Sequence, residues 1–175
     1  MNRIASLAGL GVAIAMSGAL SAATPAVAGP AEVAYLQSYI GNWRGQGQLT
    51  GGDQNENFTC RVTVTQGNQG KINYAGRCAV AGLNLSVAGT IAYIDANNRY
   101  EAAMSSNATF SGVAIGRKQG DGVVFDLRER DRTEQGDMTI TAQVSLGNGT
   151  IGLGFNYLMH DSGSTMNANV SFSRQ

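Results

Sequence analysis

Apolar and polar residues alternate along most of the chain beyond residue 40, and the alternation is sharpest near the end. Met138, Ile140, Ala142, Val144 and Leu146 fall on one side of a segment; Ile151, Leu153, Phe155, Tyr157 and Met159 do so in the next, and Met166, Ala168, Val170 and Phe172 in a third. A period of two sends successive side chains to opposite faces, so each segment reads as a strand with one apolar and one polar side. The same period predicts strands over 42–49, 58–64, 72–78, 83–94, 99–104, 109–117, 123–130, 138–146, 150–159 and 165–174. A helix is predicted only over 31–39. The breaks at Gly82, Asp95-Ala96-Asn97-Asn98, Gly120-Asp121-Gly122, Gly147-Asn148-Gly149 and Asp161-Ser162-Gly163 are short and turn-forming, so consecutive strands are expected to be antiparallel neighbours. So many strands in one domain either pack as two sheets or close on themselves. Closure removes unpaired edges, and the expectation is an all-β fold, an up-and-down antiparallel β-barrel of about eight to ten strands with a short N-terminal helix.

The first residues follow a different rule. Arg3 precedes a run from Ile4 to Leu20 that is almost wholly apolar or small, and Ala26-Val27-Ala28 supplies the small residues a leader peptidase accepts. A retained anchor is the alternative, but the run is short, contains Gly9, Gly11 and Gly18, and lacks a basic stop. Residues 1–28 are therefore expected to be a signal peptide. Residues 29–175 then form one domain of roughly 147 residues, periplasmic or secreted and not membrane-spanning after the leader is removed. No Cys follows the apolar run to carry a lipid.

Export changes the reading of the two cysteines, because a disulfide persists in an oxidising compartment. A hairpin symmetric about Gln69 sets Val64 opposite Tyr74, Val62 opposite Gly76 and Cys60 opposite Cys78. A Cys60–Cys78 disulfide is expected; free thiols or a metal site are the alternatives, and no second pair of ligands lies nearby, so no metal is expected. Charge adds an exclusion: 12 Lys and Arg balance 12 Asp and Glu, which offers no broad footprint for nucleic acid.

Leu36 and the run Ile40-Gly41-Asn42-Trp43-Arg44-Gly45-Gln46-Gly47, a short helix leading into a Gly-x-Trp strand, resemble the opening of the calycin superfamily, which includes lipocalins, fatty-acid-binding proteins and nitrobindin-like haem barrels. The resemblance implies that Trp43 closes one end of the barrel beneath an Arg from the last strand, a place Arg174 matches. It also implies a small apolar or amphipathic ligand in a cavity, for which Trp43, Phe58, Tyr74, Phe155 and Tyr157 are the lining candidates beside the small Gly45, Gly47, Gly76 and Gly89. Nitrobindin-like barrels ligate haem through a His near the chain's end. Here the single His, His160, falls at a turn before the final strand, and Asn167, Ala168 and Asn169 stand in that strand instead, so no cofactor is expected.

Other chemistry is thinly supplied. Asp126, Arg128 and Arg130 share one face of a strand with Phe125 and Leu127 opposite, which reads as a solvated outer face rather than an inward anchor for a carboxylate. Glu129 and Asp131 read as exposed ion pairs within the charge run 128–132 rather than as an acid–base pair. With one His and both Cys expected to pair, no nucleophile system is available and catalysis is not expected. An outer-membrane barrel would expose the Thr, Asn, Arg and Gln of several strands to lipid. The function expected is non-catalytic binding of a small apolar ligand; the alternative is a filled barrel that meets a protein partner of the cell envelope.

Overall fold

A computed structural model describes residues 29–52, 54–80, 82–107, 111–133 and 136–175, so the signal peptide expected over 1–28 lies outside the described residues. Helix α1 (Pro30–Gln37) precedes ten strands: β1 (Gly41–Gly51), β2 (Gln54–Gln66), β3 (Ile72–Val80), β4 (Leu83–Ile94), β5 (Arg99–Ser106), β6 (Ser111–Gln119), β7 (Gly122–Thr133), β8 (Gly136–Gly147), β9 (Thr150–Met159) and β10 (Thr165–Arg174). Each strand pairs antiparallel with its sequence neighbours, and β10 returns to pair with β1 and close the barrel. The expected all-β barrel with its short leading helix is the observed fold.

Local chemistry explains the turns. Gly147 pairs with Thr150 across a two-residue loop in which Asn148 and Gly149 both take positive φ, 50° and 68°, the conformation whose twist suits a tight hairpin and which Asn and Gly adopt most readily. In the β2–β3 hairpin, Val64 faces Tyr74, Val62 faces Gly76 and Cys60 faces Cys78, and the two cysteines are joined as a disulfide. Several bounds differ from the periodicity. Helix α1 starts on Pro30, whose fixed φ suits a first helical position, and ends at Gln37; Tyr39 and Ile40 then donate to the carbonyls of Leu36 and Gln37 in a closing turn. Strand β6 begins at Ser111, and the expected start at Thr109 lies outside the described residues. Strands β7 and β8 extend through the charge run because the backbone ladder continues, with Arg128 opposite Thr141 and Arg130 opposite Thr139.

The interior is built from rows of inward side chains that cross the tilted strands. One row joins Val123, Leu146, Ile151, Phe172, Gly45 and Cys60; the next joins Phe125, Val144, Leu153, Val170, Gly47 and Phe58; a third joins Leu127, Ala142, Phe155, Ala168, Leu49 and Glu56. Glu129 continues the inward side of β7 beyond Leu127, opposite Ile140, and is half-buried. This corrects the expectation of an exposed ion pair. Strand parity, not charge, decides the side on which a residue falls. The side chain of Asp131 lies outside the described residues.

Candidate functional site

Among the described residues the barrel has a sealed end and an end, here called open, where inward side chains stay partly exposed. At the sealed end α1 lies across the strand ends, and Leu36, Tyr39, Trp43, Ile72, Tyr100, Val123, Phe125 and Phe172 are all at most 2% exposed. Trp43 donates from Nε1 to the Tyr39 carbonyl at 2.9 Å, and its indole stacks on the Tyr39 ring at 5.9 Å. Arg174 lies 4.6 Å over the indole and donates to the carbonyls of Ser38 and Ile40, so one guanidinium covers the Trp and ties down the turn after α1. Gly41 makes room for it: its φ is +146°, and a Cβ there would stand 2.6 Å from the Arg174 Nη1.

Further tyrosines complete this floor. Tyr35 donates to the Leu146 carbonyl at 2.7 Å and meets Tyr39 and Tyr100 edge-on, and Tyr100 meets Tyr93 in the same way. Burial pushes the phenols of Tyr35 and Tyr100 above their ordinary range. At the rim of the floor, Lys118 of β6 pairs with Glu32 of α1 at 2.8 Å. That hydrogen bond lowers the Glu32 pKa and raises that of Lys118.

Midway up the wall, rings lie flat over glycines. A Cβ on Gly47 would stand 2.8 Å from the Phe58 Cζ, one on Gly116 2.5 Å from Phe125, and one on Gly89 2.5 Å from the Tyr74 hydroxyl. The Tyr74 hydroxyl donates to the Ala103 carbonyl at 3.3 Å, and burial pushes its pKa up to about 12. These rings occupy the lower interior.

Toward the open end the inward side chains lose their cover. Leu127, Val144, Leu153 and Phe155 are only partly buried, as are Tyr157, Met159 and Met166 beyond them. Leu83 and Leu85, on the inward side of β4, are 63% and 39% exposed at the mouth. The Tyr157 hydroxyl donates to the Met159 Sδ at 2.8 Å. The lining is apolar, with Glu129 and Glu56 as inward carboxylates.

The five lining candidates therefore do not meet in one place. Phe155 and Tyr157 lie on the inward side of β9 among the partly exposed residues, Phe58 and Tyr74 pack against the wall glycines Gly47 and Gly89, and Trp43 belongs to the floor. Along β1, Trp43 is six residues from Leu49, the member of the Phe155 row, which at the strand rise is about 20 Å. Val144, Leu153 and Glu129 are also inward and partly buried; the strand alternation that placed Phe155 inward carries the same signal for them. Arg128 is on the outer wall, as is Asp126, which accepts from Gln143 at 2.8 Å. His160 is exposed, with Nε2 2.8 Å from the Thr139 Oγ1. Among the described residues no group of three His, Cys, Asp or Glu side chains could hold a metal.

No known protein-family profile matches the chain, and no curated protein matches it. Solved structures do. Rv2717c from M. tuberculosis is similar in fold at 11% sequence identity, with a TM-score of 0.57 over 81% of this chain and 97% of that one. EF1p2_mFAP2b bound to DFHBI aligns with a TM-score of 0.42 at 12% identity over 82% of this chain and 98% of that one. At such identities the likeness to Rv2717c concerns the fold, a small antiparallel barrel.

Proposed function

We propose that this chain is an exported, calycin-like barrel that binds a small apolar or amphipathic ligand in its open half, without catalysis. One observation carries the reading: inward apolar residues Leu127, Val144, Leu153 and Phe155 stay partly accessible above a floor that is packed solid. An inward apolar surface left wet is costly in a protein that folds for its own sake, at about 25 cal/mol per Å², and a ligand would recover it. Glu129 on the inward side of β7 favours a ligand whose polar end is neutral or cationic. Export agrees with the Cys60–Cys78 disulfide. A membrane-spanning barrel is disfavoured by the outer wall, where Arg44, Arg61 and Arg77 sit side by side; each would cost about 2–4 kcal/mol at a bilayer midplane.

The test is native mass spectrometry of the protein purified from the periplasm, with denaturing extraction of anything bound, followed by titration with retinol, a neutral apolar alcohol, and with haemin. A bound lipid or pigment, or saturable retinol binding that Leu153→Trp abolishes without lowering Tm, is the expected result. A clean apo mass with no binding of either probe sinks the proposal. The second reading, a filled barrel working through its surface on an envelope protein partner, would then stand, supported by the rings seated on Gly47, Gly89 and Gly116.

A further inference from the structure

The outer wall carries a feature that a barrel interior does not explain. Arg44 on β1 is directly opposite Arg61 on β2, which is directly opposite Arg77 on β3, so three guanidinium side chains leave one face of the sheet on adjacent strands. Ser173 and Ser86 flank the row on β10 and β4. All three arginines are exposed, and the two ion pairs formed among the described residues, Arg99–Glu101 and Lys118–Glu32, involve none of them. Like charges directly opposite in a sheet repel, and a wall selected for stability alone would alternate their sign.

The row lines a groove of about 990 Å³ on the outside of the barrel. Its bed is formed by small residues, among them Ala75, Ala79 and Ala88, and Thr59, Ser86 and Ser105 add hydroxyls. No carboxylate and no aromatic ring lines it. The far edge is fixed: Asn107 accepts from the Ser86 N–H at 2.8 Å through its side chain, donates to the Asn84 carbonyl at 2.8 Å, and gives its own N–H to the Ser86 carbonyl. Beneath the row, the Cys60–Cys78 disulfide holds the neighbouring residues Arg61 and Arg77 in register.

We propose that this groove is a second binding site, separate from the barrel interior, for a soluble ligand bearing several linked phosphates. Neighbouring strands set the arginines about 4.8 Å apart, close enough for one short oligophosphate to meet all three. Guanidinium forks pair with phosphate oxygens two at a time, and the surrounding hydroxyls supply neutral donors for the rest. The absence of a ring to stack on argues against a nucleobase. No Leu, Ile, Met or aromatic side chain lines the groove to enter a bilayer, which argues against a lipid surface.

The test is calorimetric titration of the mature protein with sodium tripolyphosphate at low salt, beside sedimentation with phosphatidylglycerol vesicles. Saturable tripolyphosphate binding is expected, weakening as salt is raised, and Arg61→Ala should reduce the affinity about tenfold or more. Arg61→Ala should leave Tm unchanged or raised, because it relieves two like-charge contacts. A parallel variant, Arg128→Ala on the opposite wall, should bind like the wild type. Failure of the wild type to bind tripolyphosphate, equal binding by Arg61→Ala, or binding to vesicles alone would each overturn the proposal.

Discussion

The sealed and open halves of this barrel are built from the same strands, yet they spend their side chains differently. In the sealed half, inward residues are large, aromatic and interlocked: Trp43 stacks on Tyr39 and is covered by Arg174, and Tyr35, Tyr39, Tyr93 and Tyr100 meet edge-on. In the other half the same inward positions hold Leu127, Ala142, Val144, Leu153 and Phe155, which pack sideways and stay partly exposed. A closed sheet thus does not fix whether its interior is core or container. The helix laid across one end makes one half core.

The largest test of that contrast is a pair of truncations. Trp43→Ala should cost about 3–5 kcal/mol in urea denaturation, since it empties a fully packed site and strips Arg174 of its aromatic partner. Phe155→Ala should cost about 1–2 kcal/mol, as its ring is only partly withdrawn from water. Equal costs would break the distinction between the halves. Next is removal of the cross-link: Cys60→Ser with Cys78→Ser should lose about 3 kcal/mol, the entropy of a loop closed across a sequence separation of 18.

Alkali sharpens the comparison through the phenols. Burial raises the pKa of Tyr35 and Tyr100 in the floor and takes that of Tyr74 in the wall up to about 12. In the unfolded chain these groups ionise near about 10, so the unfolded state releases protons first. Stability should therefore be constant in this respect below about pH 10 and fall as pH rises through about 12, read as Tm against pH. A flat profile from pH 9 to 12 would contradict the packing described for these rings. The smallest effect is expected at the helix latch. Lys118→Met should shift Tm only at the edge of detection, and about 0.5 M salt should erase the difference, because the Glu32–Lys118 pair is set at the surface.

Much of this was legible in the chain. Alternation in 138–174 gave the last three strands and their inward faces, and the symmetric spacing around Gln69 gave the β2–β3 register down to Cys60 opposite Cys78. That pairing also implied Arg61 opposite Arg77. Arg44 joins them only through the β1–β2 register, which the polar stretch at 50–55 left open. Glu129 was misjudged because its neighbours are charged, although parity with Phe125 and Leu127 sent it inward. The floor could not be read locally: the Tyr35 hydroxyl meets a carbonyl 111 residues away, and only the closed barrel brings the two together.

That closure has a consequence in time. The barrel is completed by β10 pairing with β1, and Arg174 caps a turn whose Ser38 lies 136 residues earlier. Until the last strand arrives, β1 and β9 each keep a row of unpaired backbone groups, and the floor lacks Phe172 and Arg174. Contacts this distant in sequence make folding slow, because the chain must surrender loop entropy before they reward it. The order of events follows: the barrel stays open until β10 is available, and a chain stopped short of β10 would present two open edges to any neighbour in the same state.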